Sequence, residues 1–179
     1  MGDFRRLETT AIYEGRVFRL VSSVFEAPDG QRFVREVVEH PGAVVVIPFD
    51  EEAGTVTCVR QYRGPLGRQL LELPAGLLDR AGEDHLAAAQ RELREEVGLV
   101  ASTWRRVGRF AAAPGLTDEQ YTIFVATGLT HVGSEADGVE EEHMTVEQVR
   151  LTDVRHLIDA GEIVDAKTAI GLLYLLTGR

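Results

Sequence analysis

The chain has 179 residues, of which 44% are hydrophobic and 27% charged, a composition typical of one globular domain or of one domain with a small appendage. Its formal charge of −10 argues against nucleic-acid binding through a basic surface. With one cysteine, Cys58, and no run that approaches the ~18 apolar residues of a membrane span, we expect a cytoplasmic protein without an intrachain disulfide.

The N-terminal part has the pattern of a β module. Residues from about 9 to 40 are strand-like, with predicted segments from Val17 to Ser23 and from Phe33 to Val38. Between them, Pro28-Asp29-Gly30 predicts a tight turn, so we expect a β-hairpin. The run His40-Pro41-Gly42 breaks the pattern and predicts a domain boundary.

We therefore predict two domains, a β module over residues 1–40 and a main domain over residues 41–179. A lone two-stranded hairpin is only marginally stable in water. We expect the module to dock on the main domain or on a partner subunit.

The main domain is predicted to be α/β (α+β), a mixed sheet with helices on its faces. Predicted strands are Ala43–Pro48, Thr55–Tyr62, Leu70–Leu73, Trp104–Ala111, Tyr121–Ala126 and Met144–Leu151, and predicted helices are Asp84–Val97, Thr152–Ala160 and Ala166–Leu176. The first strand is apolar throughout, as in a buried central strand, and is expected to pair with the second. Cys58 lies in the second strand and is expected to be a small buried hydrophobe.

The helix predicted at Asp84–Val97 carries three glutamates on one flank. Glu92, Glu95 and Glu96 fall within an arc of about 100°, beside the apolar arc of the same helix. Their mutual repulsion is stronger beside apolar surface, and a hard dication would remove it. Oxygen ligands favour Mg²⁺ or Mn²⁺ over zinc. The ordinary alternative is a solvated helix face on which Arg91 pairs with Glu95.

The residues around this helix favour the metal site over the solvated helix face. Gly76, Glu83 and the run from Arg91 to Leu99, in one-letter code RELREEVGL, resemble the signature of the Nudix hydrolases. One departure is that six residues, rather than five, separate Gly76 from Glu83, which we interpret as a longer surface loop. The resemblance implies a Nudix-like α/β/α sandwich and hydrolysis of a nucleoside diphosphate joined to another group. Glu83 and Arg91 more often form a structural ion pair in this motif.

Other segments resemble one branch of that family, the ADP-ribose pyrophosphatases. These segments are Arg60-Gln61-Tyr62-Arg63, Glu72-Leu73-Pro74-Ala75-Gly76, Pro114-Gly115 and Asp165-Ala166-Lys167-Thr168. Ordinary interpretations are open as well, since Pro-Gly is a common turn and a lysine is common at a helix start. The branch implies Mg²⁺-dependent hydrolysis of ADP-ribose to AMP and ribose 5-phosphate by a homodimer, in which the N-terminal module exchanges between subunits.

The resemblance also assigns metal ligands. Glu92 and Glu96 are the predicted ligands, and Glu95 shares a metal or acts through water. By analogy with the family, the backbone carbonyl of Ala75 also coordinates the metal.

The catalytic base is expected on the acidic segment Val139–His143, because the base of this branch lies outside the signature on an acidic loop. A carboxylate there could deprotonate water or bind a further metal, and we rank Glu142 ahead of Glu140. A solvated loop is the ordinary alternative. His143 is a less favoured candidate.

Substrate contacts are predicted on the strand at Thr55–Tyr62 and just after it. Arg63, with Arg60 as second candidate, is expected to grip the diphosphate, because a guanidinium matches phosphate oxygens in bidentate fashion. Tyr62 is a candidate for stacking. Glu72 either reaches a ribose hydroxyl or base amine of the substrate, or closes an ion pair.

Three other functions stay open. GDP-mannose or another nucleoside-diphosphate sugar would need the same chemistry. A non-catalytic ADP-ribose sensor would need a basic DNA-reading module, which this acidic chain does not supply. A structural domain would show neither activity nor stabilisation by Mg²⁺ with ADP-ribose.

Overall fold

The computed structural model describes residues 2–133 and 143–178. Its contacts divide the chain into two compact units, one of Met1–Gly42 with Phe110–Gln120 and the other of Ala43–Arg109 with Tyr121–Arg179. No helix within the described ranges is long and apolar enough to cross a membrane.

The first unit contains a three-stranded antiparallel sheet in the order β1-β2-β3. Its strands are β1 (Arg5–Glu14), β2 (Arg19–Glu26) and β3 (Arg32–Glu39). The predicted hairpin is confirmed as β2 and β3, joined by a turn in which Gly30 has φ +85° and donates its N–H to the Ala27 carbonyl at 2.9 Å. The two-strand prediction is incomplete because β1 pairs with β2 along its length. All ten residues of β1 are exposed. Because neither face of the strand is buried, its sequence has no alternation of polar and apolar residues by which it could be predicted.

The second unit is built on a mixed seven-stranded sheet. Its strands are β4 (Ala43–Asp50), β5 (Thr55–Arg63), β6 (Arg68–Glu72), β7 (Ala75–Leu77), β8 (Leu99–Ala111), β9 (Gln120–His131) and β10 (Thr145–Arg150). The order is β10-β5-β4-β9-β8, with β6 paired to β5 and β7 paired to β4. The helices are α1 (His85–Val97), α2 (Val154–Asp159) and α3 (Ala166–Leu176), and the short 3-10 helices are Gly64–Leu66 and Leu151–Asp153.

Strand β4 is the buried central strand that the sequence predicts. Its residues from Ala43 to Pro48 are buried and pair in parallel with β9. The predicted pairing with β5 is correct only at the end of the strand, where Phe49 lies opposite Val56. Nearer its start, β4 pairs with β7 instead. The segment that precedes α1 is therefore held directly against the centre of the sheet.

The main core lies between α1 and the sheet. Leu93 and Val97 of α1 belong to one buried cluster with Val44, Val46 and Val59. Each fully buried side chain of this size contributes roughly 1.5–3 kcal/mol. In the neighbouring strand, burial raises the pKa of the Cys58 thiol to about 12, so the expectation of a buried hydrophobe is confirmed. This core fixes the rotation of α1 about its axis.

Candidate active site

Helix α1 has well-defined ends, which set its register. The Asp84 carboxylate accepts the N–H groups of Leu86 and Ala87 at 2.9 and 2.8 Å, and therefore caps the N-terminus. Gly98 ends the helix in the left-handed conformation, with φ 64°. With Leu93 and Val97 in the core, the predicted glutamate flank lies at the core edge, where Glu92 and Glu96 are buried.

The buried glutamates face the backbone of β7. A carboxylate oxygen of Glu96 accepts the Ala75 N–H at 3.0 Å. A Cβ atom added at Gly76 would lie 1.9 Å from Cδ of Glu92, so this position accepts no side chain while Glu92 keeps its place. The structure therefore brings the Glu92 and Glu96 side chains next to the backbone at Ala75 and Gly76.

Arg91 organises the outer side of this cluster. Its guanidinium donates to both carboxylate oxygens of Glu83 at 3.0 Å, to Glu95 at 3.0 Å and to Glu92. Hydrogen bonding to Glu83 is the largest of the effects that raise the pKa of Arg91, and the same bond lowers the pKa of the Glu83 carboxyl. The loop-to-helix ion pair implied by the family resemblance is thus present. Glu95 also contacts Arg80 at 3.3 Å.

The extra residue between Gly76 and Glu83 is accommodated in a turn. Gly82 has φ +80°, and the N–H of Glu83 donates to the Arg80 carbonyl at 3.1 Å. The lengthened loop leaves both the Glu83–Arg91 pair and the contact of Gly76 with Glu92 in place. This agrees with its interpretation as a loop insertion.

The donor set fits a hard dication. Within residues 2–133 and 143–178, no three acidic, histidine or cysteine side chains form a complete metal site. Two buried carboxylates and a backbone carbonyl are nevertheless the incomplete oxygen set that Mg²⁺ commonly uses, the remaining ligands being water and substrate phosphate. The side-chain-free backbone at Gly76, which Glu92 approaches closely, makes room for that set. Glu140 and Glu142 lie outside the described residues.

A second buried cluster surrounds Glu72, at the end of β6. Its side chain is only 1% exposed and accepts bonds from Nε and Nη2 of Arg63 at 2.7 and 2.8 Å and from Nζ of Lys167 at 2.6 Å. Burial raises the pKa of the Glu72 carboxyl, but the two cations outweigh it and hold the pKa below the ordinary 4.5. Of its two predicted roles, the structure shows the ion pair. Contact of Glu72 with the substrate stays a prediction.

Arg63 links this cluster to the glutamate flank. The hydrogen bond to Glu72 raises its pKa, and the charges of Glu96 and Asp165 act in the same direction. The Arg63 side chain is 35% exposed. Among the described residues its Nη1 has no hydrogen-bond partner. One edge of the guanidinium is therefore held by protein, and the other is available to a ligand.

Arg60 and Tyr62 lie on the opposite face of β5 from Arg63. Successive side chains of a strand point to opposite faces, and the pairing of β5 with β6 continues without a bulge over these positions. Arg60 donates to Glu147 at 2.6 Å and lies 3.8 Å from Glu162. The Tyr62 side chain is exposed. The structure thus separates these two predicted substrate contacts from Arg63 and gives Arg60 carboxylate partners.

The sequence did not predict how the start of α3 joins the Glu72 cluster. Asp165 caps α3 by accepting the N–H and hydroxyl of Thr168 at 2.9 and 2.6 Å, and the Thr168 hydroxyl accepts the Leu73 N–H at 2.9 Å. The Asp-x-x-Thr spacing predicts a helix cap. No local signal indicates that Lys167 pairs with Glu72, which lies 95 residues earlier.

A cavity of about 540 Å³ adjoins the outer side of α1. It is lined by Gln90, Arg91, Arg94, Glu95, Val100, Ala101 and Trp104. Its volume is within the range of small-molecule sites. Two residues of the glutamate-rich motif, Arg91 and Glu95, are therefore part of a cleft of ligand size.

Comparison with known proteins agrees with this geometry. A family model described as the NUDIX domain matches residues 39–169. ADP-ribose pyrophosphatase of Mycobacterium tuberculosis is 42% identical over 171 residues, which cover 96% of this chain and 82% of the relative. ADP-ribose pyrophosphatase of Bacillus subtilis is 38% identical, with 92% and 88% covered. GDP-mannose pyrophosphatase of Citrobacter koseri is 32% identical, with 80% and 78% covered.

A solved structure supports the fold independently. A protein described as an ADP compounds hydrolase superposes with a TM-score of 0.85, and the match covers 99% of this chain and 95% of the other. The two sequences are 24% identical, so the likeness concerns the fold alone. It confirms the predicted α/β architecture with a mixed sheet.

Proposed function

The chain belongs to the NUDIX family of hydrolases, and on that premise we propose that it hydrolyses the diphosphate bond of ADP-ribose to AMP and ribose 5-phosphate. The observation that carries the proposal is the pair of buried carboxylates, Glu92 and Glu96, held against the backbone at Ala75 and Gly76. Its substrate class is supported by the greater identity to ADP-ribose pyrophosphatases than to a GDP-mannose pyrophosphatase.

We propose that Glu92, Glu96 and the Ala75 carbonyl hold Mg²⁺, with Mn²⁺ as a substitute. Bound metal would polarise the phosphoryl oxygens and neutralise charge on the departing phosphate. Glu95, which is paired with Arg91 and Arg80, would share this metal or act through water.

The chain's own residues would then position the substrate and move a proton. Arg63, held by Glu72 through one edge, donates from its other edge to the diphosphate. Glu142, or else Glu140, takes a proton from the water that attacks phosphorus. The phosphorus–oxygen bond to the departing phosphate breaks, and each product keeps one phosphate.

Kinetics on a substrate panel test this function. Purified protein with Mg²⁺ is assayed on ADP-ribose, GDP-mannose and dinucleoside polyphosphates, and products are identified by chromatography. We expect the highest kcat/KM with ADP-ribose, formation of AMP, and loss of turnover when a chelator removes the metal. A higher kcat/KM with GDP-mannose would establish the second candidate, which the 32% identical relative favours.

We also propose a cytoplasmic homodimer in which the β module at residues 1–40 contributes the contact. The location is supported by the single cysteine. The dimer is supported by β1, whose residues Leu7, Ile12 and Tyr13 are exposed apolar side chains. Light scattering on the full chain should give twice the mass of 19.7 kDa. A monomeric mass would contradict the dimer and leave the hydrolase proposal untouched.

A further inference from the structure

Lys167 is the only lysine of the chain, since every other basic residue counted in its charge is an arginine. It is the second residue of α3, and its side chain is 19% exposed. Its ammonium group lies 2.6 Å from Oε2 of Glu72 and 2.8 Å from Oδ1 of Asp165. The sole lysine therefore joins the end of β6 to the cap of α3.

The geometry around Glu72 suits an ammonium group. Arg63 already takes both oxygens of the carboxylate through its planar fork. A compact ammonium can donate to the remaining acceptor site on Oε2 and to Asp165 at the same time, which a second planar fork would do less readily. Glu72 thus receives three charge-assisted bonds from two directions.

These bonds restrict rotation of the Glu72 carboxylate about its terminal side-chain torsion. The terminal torsion of a glutamate side chain is broad, so a carboxylate held only by one bidentate partner can turn together with that partner. The contact with Lys167 ties the carboxylate to α3, which is itself fixed by the Thr168 hydroxyl bound to the Leu73 N–H at 2.9 Å. Holding the plane of Glu72 also holds the plane of the Arg63 guanidinium.

We infer that Lys167 is a positioning residue, which orients the Arg63 guanidinium through Glu72 for contact with the diphosphate. The inference rests on the proposed function for the role of Arg63, and on the structure for the chain of contacts. A direct contact of Lys167 with substrate is the opposing model. Two carboxylates already engage Lys167, and it is less exposed than Arg63, whose Nη1 has no partner among the described residues.

The kinetic test compares Lys167→Met in two backgrounds, the wild type and Glu72→Gln. In the wild type we expect KM to rise about tenfold while kcat changes less than about twofold, because a ground-state contact is loosened. In the Glu72→Gln background the single amide oxygen can no longer hold both Arg63 and Lys167, so the same substitution should change KM less than about twofold. An equal rise of KM in both backgrounds, or no rise in the wild type, would overturn the inference.

Two choices make the kinetics interpretable. Arg150→Met, which breaks the exposed 2.8 Å pair with Asp153, is the matched control and should leave KM unchanged. The assays use whichever substrate of the panel is hydrolysed fastest. If that substrate is not ADP-ribose, the proposed substrate is wrong, while the comparison of backgrounds still decides the role of Lys167.

A measurement without turnover tests the contact itself. Because the chain has one lysine, protein labelled with ¹⁵N-lysine gives a single side-chain ammonium signal. We expect this signal to be protected from exchange in the wild type and in Arg63→Met, and to broaden in Glu72→Gln. An ammonium signal that is insensitive to Glu72→Gln would overturn the inference even if Lys167→Met failed to fold.

Discussion

Two glutamates with similar partners lie in contrasting surroundings, one on the three-stranded sheet and one behind the candidate active site. Each is paired with two basic side chains, and each has a lowered pKa. The pairs are Glu26 with Arg5 and Arg32, and Glu72 with Arg63 and Lys167. The Glu26 side chain is 18% exposed and its partners are 68% and 65% exposed, whereas the Glu72 side chain is 1% exposed and its partners are 35% and 19% exposed.

This difference decides what each ion pair does. Around Glu26, water and salt reach the exposed arginines and screen the charges, so losing one partner costs little. Around Glu72, a missing partner leaves a buried charge that water cannot reach, which is costly. The number of ion pairs in a region therefore says little about its importance. The burial of the carboxylate is the better guide.

The largest expected effect is on kcat, from a substitution of Glu96, a proposed metal ligand. Glu96→Gln should lower kcat about 10³-fold, since metal binding supplies several kcal/mol of transition-state stabilisation. The glutamine oxygen can still accept the Ala75 N–H, so the thermal midpoint without metal should move little. Steady-state kinetics with Mg²⁺ measure the first effect and a thermal melt the second. Near-normal kcat would mean that metal is held elsewhere.

Gly76→Ala tests by steric means whether Glu92 lies against the backbone of β7. The added Cβ would lie 1.9 Å from Cδ of Glu92, so the carboxylate or β7 must shift. We expect kcat to fall about 10²-fold and stability to fall by roughly 1–3 kcal/mol. Gly115→Ala in the other unit is the matched control for stability, because a Cβ there has nothing within 4 Å. Equal thermal midpoints for the two variants would contradict the close approach.

Glu72→Gln tests the buried pair by its pH dependence. The folded-state pKa of this carboxyl is below 4.5, so its charged form stabilises the fold above that pH, and the contribution is lost as pH falls through the lower folded value. At pH 7 the variant should be less stable by on the order of 1–3 kcal/mol, and this difference should shrink in acid. Urea denaturation at pH 7 and at pH 3 measures both. A stability difference between the wild type and Glu72→Gln that does not change with pH would contradict a stabilising role for the charged carboxylate.

The smallest expected effect is on stability, from a substitution of Glu26 on the three-stranded sheet. Glu26→Gln removes the same charge as Glu72→Gln but from a partly exposed site with solvent-exposed partners, so its denaturation midpoint at pH 7 should nearly match the wild type. Raising the salt concentration should erase any residual difference, because salt screens exposed charges. A loss of stability as large as that of Glu72→Gln would show that burial does not separate the two regions.

The sequence predicted best where short-range chemistry decides the outcome. The helical period predicted α1 and the flank that carries Glu92 and Glu96, and the Asp84 cap and the Gly98 end found in the structure agree with the predicted bounds. The strand β1 was not predicted as a separate strand because its exposed side chains show no alternation. The pairing of β4 with β5 was only partly correct, because β7 occupies the edge of β4 near its start.

By itself, the sequence determined the glutamate-rich helix, its family and the oxygen-rich character of the site, because these follow from residue type and helical spacing. Only the tertiary structure brought Gly76 against Glu92, separated Arg60 from Arg63, and paired Glu72 with a lysine 95 residues away. Local propensities act over a few residues, whereas these contacts depend on the order of strands in the sheet and on where α3 packs. That is why the glutamate flank could be predicted and its supporting ion pairs could not.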